Sequence, residues 1–140
     1  MSGISALQRA LASEHAAVYL YGVLGGRTSR GDQPDLAASL QAAYDDHVAA
    51  RDALVEHVVA AGADPVGSAA AYDLPHGIDS AAGVRRAALA IERSCAATYL
   101  DAVPAVAGEL RRFLVTALGD AAVRELSFGG GPETFPGTKG

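Results

Sequence analysis

The sequence predicts an all-α domain, an antiparallel four-helix bundle with a long crossover between helices two and three. Composition is the first observation behind this. Half of the 140 residues are hydrophobic, mostly Ala, Val and Leu, and Trp is absent; Ala and Leu are strong helix formers, and the β-branched and aromatic runs that strands prefer are scarce. The second is that apolar residues recur at helical spacing in four separate segments. The third is the pattern of breaks between them, which is short, long, short: Gly25–Gly26 to Pro34, then residues 63–80, then Pro104. A chain of this length fits one domain. The bundle is expected over residues 1–127 and an irregular tail over 128–140.

Helix one carries Ile4, Leu7, Leu11, Glu14, Val18, Tyr21 and Gly25 at alternating spacings of 3 and 4, a heptad seam. Ser5 with Gln8 three residues on reads as a capping box, with Ile4 as its hydrophobic staple. The helix is expected to stop at Gly25–Gly26. Helix two starts at Pro34, in the first turn, and runs to about Ala61, where Gly62 and Pro65 end it. Its seam is Leu40, His47, Leu54 and Ala61, while Gln41, Asp45, Asp52 and Glu56 face solvent.

Residues 63–80 hold two prolines and two glycines and show no helical period. That is a long connection by domain standards. Asp79 or Ser80 caps helix three, whose inner side carries Val84, Ala88, Leu89, Ile91, Glu92, Cys95, Ala96 and Tyr99 and which ends before Pro104. Helix four has a wholly apolar inner face from Val106 through Leu110, Phe113, Leu114, Ala117 and Leu118 to Ala121. Gly119 within it is expected to bend or shorten the helix. In the tail, Phe128 and Phe135 are the residues placed to pin it to the bundle.

Glu14 is the anomaly in this pattern, because helical geometry points it inward with its apolar neighbours. An unpaired carboxylate there costs several kcal/mol, so a metal, an arginine, a histidine or a proton must balance it. Other classes of function are excluded more simply. A net charge of −5 without a Lys/Arg cluster argues against nucleic acid, and no segment approaches the roughly 20 apolar residues of a membrane span. Cys95 is the single cysteine, so no intrachain disulfide forms and its role is core filler. The N-terminal residues lack a basic region followed by an uninterrupted apolar run, which sets the expectation of a cytoplasmic protein. His15, His57 and His76 have no ligand-spaced neighbours, and Tyr19, Tyr21, Tyr44 and Tyr99 read as aromatics packing the bundle.

The segments EHAAVYLYG in helix one, DDHVAARD in helix two and IERSCAATYL in helix three resemble the ferritin-like superfamily, and in detail an uncharacterised alanine-rich ferritin-like family of high-GC bacteria. The resemblance covers essentially the whole helical length. It implies a core in which two helices each supply a Glu and two supply a Glu-x-x-His, together holding two metal ions. Glu14, His47 and Glu92 match that pattern. Tyr44 stands where the bridging carboxylate of helix two belongs, and helix four has no Glu-x-x-His, so three of the expected ligands remain. Two carboxylates and one imidazole suit a single Fe, Mn or Zn ion.

The rival partner is Arg51, one turn beyond His47, which would neutralise a buried glutamate through a bidentate pair. The expected core is thus a polar network of Glu14, Tyr44, His47, Arg51 and Glu92 without a cofactor, in a non-enzymatic structural or binding module. The alternative is an Fe/Mn oxidoreductase or metal-binding protein using Glu14, His47 and Glu92. Leu20, Val23, Leu24, Val55, Val59 and Leu100 fall off the inward seams and predict a homodimer through apolar helix faces.

Overall fold

A computed structural model describes residues 1–138. It is an all-helical bundle of α1 (Gly3–Gly26), α2 (Pro34–Ala60), α3 (Ala81–Ala102) and α4 (Gly108–Ser127), with a single 3-10 turn at Val103–Ala105. The cap of α1 lies earlier than Ser5: the Ser2 hydroxyl accepts the Ser5 amide at 3.1 Å, and Ile4 is largely exposed and staples nothing. Gln8 is released from capping to hold the crossover. Its amide donates to the Asp64 carbonyl at 2.7 Å and its oxygen accepts the Val66 amide at 2.8 Å. At α3 the Ser80 hydroxyl accepts the Gly83 amide at 3.1 Å, closing the N-terminus as a serine cap should. Gly83 cannot be replaced there, since a Cβ would lie 1.6 Å from the Gly77 carbonyl oxygen. Gly119 does not end α4, which continues to Ser127.

Pairs of contacting residues fix the directions of the helices. Glu14 of α1 meets His47 of α2 and Tyr99 of α3, while Tyr21, two turns later, meets Ala88 and Glu92, earlier in α3. His57 of α2 lies on Phe113 of α4, and Asp46 on Arg124. So α1 is antiparallel to α2 and α3, α4 is antiparallel to α2 and α3, and α2 and α3 are parallel to each other. Parallel neighbours in sequence need a connection that travels the length of the bundle. Residues 61–80 do this along α1, with Asp64 and Val66 held by Gln8, Val66 also by His15 at 2.9 Å, and Tyr72 against Tyr19 with ring centroids 5.3 Å apart.

Leu7, Leu11, Leu24, Leu40, Leu54 and Leu114 form the core with Tyr21 and Tyr99. The buried face of α1 is wider than one heptad seam because the helix touches both α2 and α3, so Ala6, Ala10, Ala17 and Leu24 are buried as well. That width covers part of the apolar patch expected for dimerisation. Leu24 is fully buried, and Leu20, Val23 and Val55 pack against the core; of the six, only Val59 is strongly exposed, at 58%.

The α2–α4 side is the loosest. Ala49, Ala50 and Ala53 face Ala117 across it, and these thin side chains leave a groove of about 540 Å³ that reaches in to Tyr99 and Arg124. The inner face of α4 is therefore only partly buried at Leu110, Phe113, Ala117 and Leu118. It is also not wholly apolar, since its last turn brings in Arg124 and Glu125. In the tail, Phe128 is buried with its ring 6.1 Å from that of Tyr21, whereas Phe135 is 71% exposed and pins nothing. The last two residues of the expected tail, Lys139 and Gly140, lie outside the described residues. No helix among the described residues is long and apolar enough to cross a membrane.

Candidate functional site

Glu14 of α1, His47 of α2 and Glu92 of α3 are all fully buried and converge at the centre of the bundle. His47 lies between the carboxylates, with Nδ1 2.5 Å from Glu14 Oε2 and Nε2 2.8 Å from Glu92 Oε1. An ionised carboxylate only accepts hydrogen bonds, so both ring nitrogens donate, and the ring is an imidazolium. Burial is the largest single influence on its pKa and pushes it down. The hydrogen bonds and charges of Glu14 and Glu92 together outweigh burial and raise it to about 9.

The remaining carboxylate oxygens are also taken. Tyr99 donates its hydroxyl to Glu14 Oε1; Tyr21 donates to Glu92 Oε1 at 2.6 Å, and Arg124 Nε donates to Glu92 Oε2 at 3.0 Å. The Tyr21 ring stacks on the imidazole, 5.2 Å between centroids and 21° between planes. Burial drives both phenols far above the ordinary tyrosine range, and the adjacent carboxylates add to it, so each holds its proton as a fixed donor. Burial pushes the Glu92 carboxyl up, yet His47, then Arg124 and Tyr21, carry it below its ordinary value. Arg124 is pulled down by burial and held higher by Glu92, with Asp46 3.5 Å away on its outer side. Two carboxylates thus face an imidazolium and a guanidinium. The cluster is electrically neutral, every helix contributes to it, and every oxygen of its two carboxylates has a donor.

The structure brings together Glu14, His47 and Glu92 but not the other two residues expected with them. Arg51 is half-buried at the edge of α2 and pairs with its neighbour Asp52 at 2.9 Å. A step of four residues turns a side chain about 40° around the helix, enough to carry Arg51 away from the axis along which His47 points. Tyr44, three residues before His47, is turned about 60° to the same side of the helix. It lies beside Gly22 and lines a surface cavity with Leu40.

The donors that do complete the cluster are Tyr21, Tyr99 and Arg124. The first two are on the predicted inner faces, where their rings pack the bundle and their hydroxyls donate to the carboxylates. Arg124 was legible as well: the inner heptad of α4 through Leu114, Ala117 and Ala121 meets Arg124 at its next step.

One further group touches the cluster. Cys95 is buried beside it, its thiol raised well above the ordinary range by burial and accepting from the Ser13 hydroxyl at 3.5 Å. One ligand atom each from Glu14, His47 and Cys95 lie within 4.8 Å of one another, a group of atoms close enough to share an ion.

Comparison with known proteins gives two findings. The family model described as "Domain of unknown function (DUF4439)" matches residues 6–140. The crystal structure of a conserved hypothetical protein, rv2844, from Mycobacterium tuberculosis superposes with a TM-score of 0.82 at 30% sequence identity, covering 90% of this chain and 93% of that one. No curated protein matches the chain.

Proposed function

The chain belongs to the DUF4439 family, and we propose that it is a ferritin-like structural or binding module in which a protonated histidine stands where metal-binding bundles of this connectivity carry ions. One observation carries the reading. His47 donates from both ring nitrogens, to Glu14 and to Glu92, while Tyr99, Tyr21 and Arg124 occupy the other carboxylate lone pairs. A divalent ion needs an unprotonated imidazole nitrogen and free carboxylate oxygens. Here those positions are engaged with protons, and a guanidinium next to Glu92 opposes a further positive charge.

A two-ion centre does not fit these residues, because the fourth helix contributes the cation Arg124 in place of a carboxylate and an imidazole. The order of helices, with α2 and α3 parallel and joined by a bundle-length crossover, supports the ferritin-like assignment. The mycobacterial relative supports placing the chain in the alanine-rich family of high-GC bacteria. Residues 1–127 act as the bundle and residues 128–140 as its appendage. We also take the protein to be cytoplasmic and homodimeric; with Leu24 buried and Leu20, Val23 and Val55 partly covered by the core, the two-fold contact falls to the exposed Val115, Val123 and Leu126 along α4.

A second reading is favoured by the proximity of Glu14, His47 and Cys95, which would hold a single Fe, Mn or Zn ion. It requires His47 to lose a proton and release one carboxylate. Metal analysis of protein purified from medium supplemented with Fe, Mn and Zn separates the two. The neutral cluster predicts far less than one ion per chain and a melting temperature unchanged by chelator. Stoichiometric metal with a chelator-sensitive melt establishes the second reading instead.

A further inference from the structure

On the far side of α3 and α4 from the groove lies a cavity of about 580 Å³, lined by Arg93, Ser94, Glu125, Glu133, Gly137 and Thr138. Its floor is α3 and α4 and its roof is the C-terminal tail. Two glycines bring that roof down. The Gly130 amide donates to the Glu125 carbonyl at 2.9 Å, and a Cβ on Gly130 would lie 2.9 Å from Leu89 Cδ1. Gly137 has φ +84° and approaches so closely that a Cβ would lie 2.6 Å from the Ala96 carbonyl oxygen. Only glycine combines that backbone angle with that approach.

Glu125 is 1% exposed, and among the described residues its Oε1 has no hydrogen-bond partner. Its other oxygen is 3.6 Å from Arg93 Nε. With Glu133 added, the lining residues carry two negative charges and one positive, so one negative charge is unbalanced. Buried carboxylate oxygens are rarely left this way, and each such atom calls for an explanation.

We propose that this cavity binds an ammonium group, with Glu125 Oε1 as its principal acceptor and Glu133 as the second counter-charge. The charge balance excludes an anion. A guanidinium would seek both oxygens of one carboxylate, and Arg93 already takes one of them. A hard divalent ion prefers several oxygens without a guanidinium beside them. An ammonium is a compact charge with three donors, which suits one free carboxylate oxygen together with Glu133 and the hydroxyl of Ser94.

Calorimetric titration of the full chain with 1,4-diaminobutane, using 1,4-butanediol as the uncharged control, tests the assignment. Binding of the diamine and not the diol to the wild type assigns the site to a free amine. Glu125→Gln should weaken the diamine about tenfold or more, as loss of a buried charge partner does, and the exposed change Glu133→Gln should weaken it less. Circular dichroism melts establish that each variant is folded. The proposal is overturned if the wild type does not bind the diamine, if Glu125→Gln binds it as well as the wild type does, or if Mg²⁺ binds there in preference to it.

Discussion

Arg124 and Glu125 are consecutive on α4, about 100° apart around its axis, and they serve two regions with opposite balances. Arg124 turns toward the bundle centre and completes a cluster in which both carboxylates are satisfied and the charges cancel. Glu125 turns toward the tail and presents a buried oxygen with no donor. All three glutamates involved, at positions 14, 92 and 125, are essentially inaccessible to water. Burial of a carboxylate therefore says little about its role; the donors around it do. A satisfied cluster stabilises and specifies the core, whereas an unsatisfied one is a place where something binds.

The largest effects should come from taking one member out of the satisfied cluster. His47→Leu leaves the Glu14 and Glu92 carboxylates facing each other without the cation between them, and should cost roughly 3 to 5 kcal/mol. Arg124→Met strands Glu92 and should cost a large part of that. Arg51→Met breaks only an exposed pair with Asp52 and should stay within about 1 kcal/mol. Urea titration of the three variants gives the ranking; an Arg51→Met loss as large as that of Arg124→Met would reverse the roles assigned to the two arginines.

Proton linkage distinguishes the two regions at nearly the same magnitude. The His47 pKa rises from 6.5 to about 9 in the folded chain. Its contribution, on the order of 3 kcal/mol, is fully present below pH 6.5 and is lost as pH climbs through 9. The lowered Glu92 carboxyl acts in the opposite sense: its contribution is present above its ordinary value of 4.5 and is lost as pH falls through the folded value. Cluster stability should thus be greatest between about pH 4.5 and 6.5. Glu125 has a raised carboxyl, from burial and then from Glu133, so its contribution is present below 4.5 and declines as pH rises through the folded value. Stability measured by urea at half-unit steps from pH 6 to 9.5 should fall steadily in the wild type and much less in His47→Leu. Parallel profiles for the two proteins would remove His47 as the titrating group.

The contrast also shows what the sequence made legible. The four helices, their order and the buried triad of Glu14, His47 and Glu92 follow from apolar periodicity and from single polar residues interrupting it. Those signals are local to one helix. Arg124 is legible on the same terms, as the next step of the α4 seam after Ala121, but its pairing with Glu92 of α3 is decided between helices. The tail cavity was less legible still, because it depends on Gly130 and Gly137 approaching α3 and α4, a tertiary event that composition alone does not specify. Gln8 shows the same limit in small: its spacing from Ser5 matches a cap, yet its side chain holds the crossover 56 residues away.

A smaller effect should come from trimming one donor and leaving both charges in place. Tyr99→Phe removes the hydroxyl that donates to Glu14 and nothing else, while His47 still neutralises the carboxylate. Loss of a hydrogen bond to a charged acceptor costs about 1.5 to 3 kcal/mol, below the range for His47→Leu. An unchanged urea midpoint would mean that a water molecule replaces the hydroxyl and that the cluster is reached by solvent through the α2–α4 groove.

The smallest effect makes the comparison sharpest, because one substitution can be made on both sides of it. Glu92→Gln replaces an acceptor of three hydrogen bonds with a group that offers an NH₂ where an oxygen must accept, and removes the charge that balances His47 and Arg124. It should be strongly destabilising, since it leaves a buried cation without its partner. Glu125→Gln is the same change of atoms with a different outcome. It removes a desolvated charge whose Oε1 has no donor and gives up only a 3.6 Å contact with the mostly exposed Arg93, an interaction worth about 0 to 1 kcal/mol. In protein dialysed free of amines at pH 7, the two terms should nearly cancel, leaving Glu125→Gln within about 1 kcal/mol of wild type or slightly more stable. A loss comparable to that of Glu92→Gln would show that Glu125 has a partner in solution even without an added ligand, and the difference between the two sides of α4 would disappear.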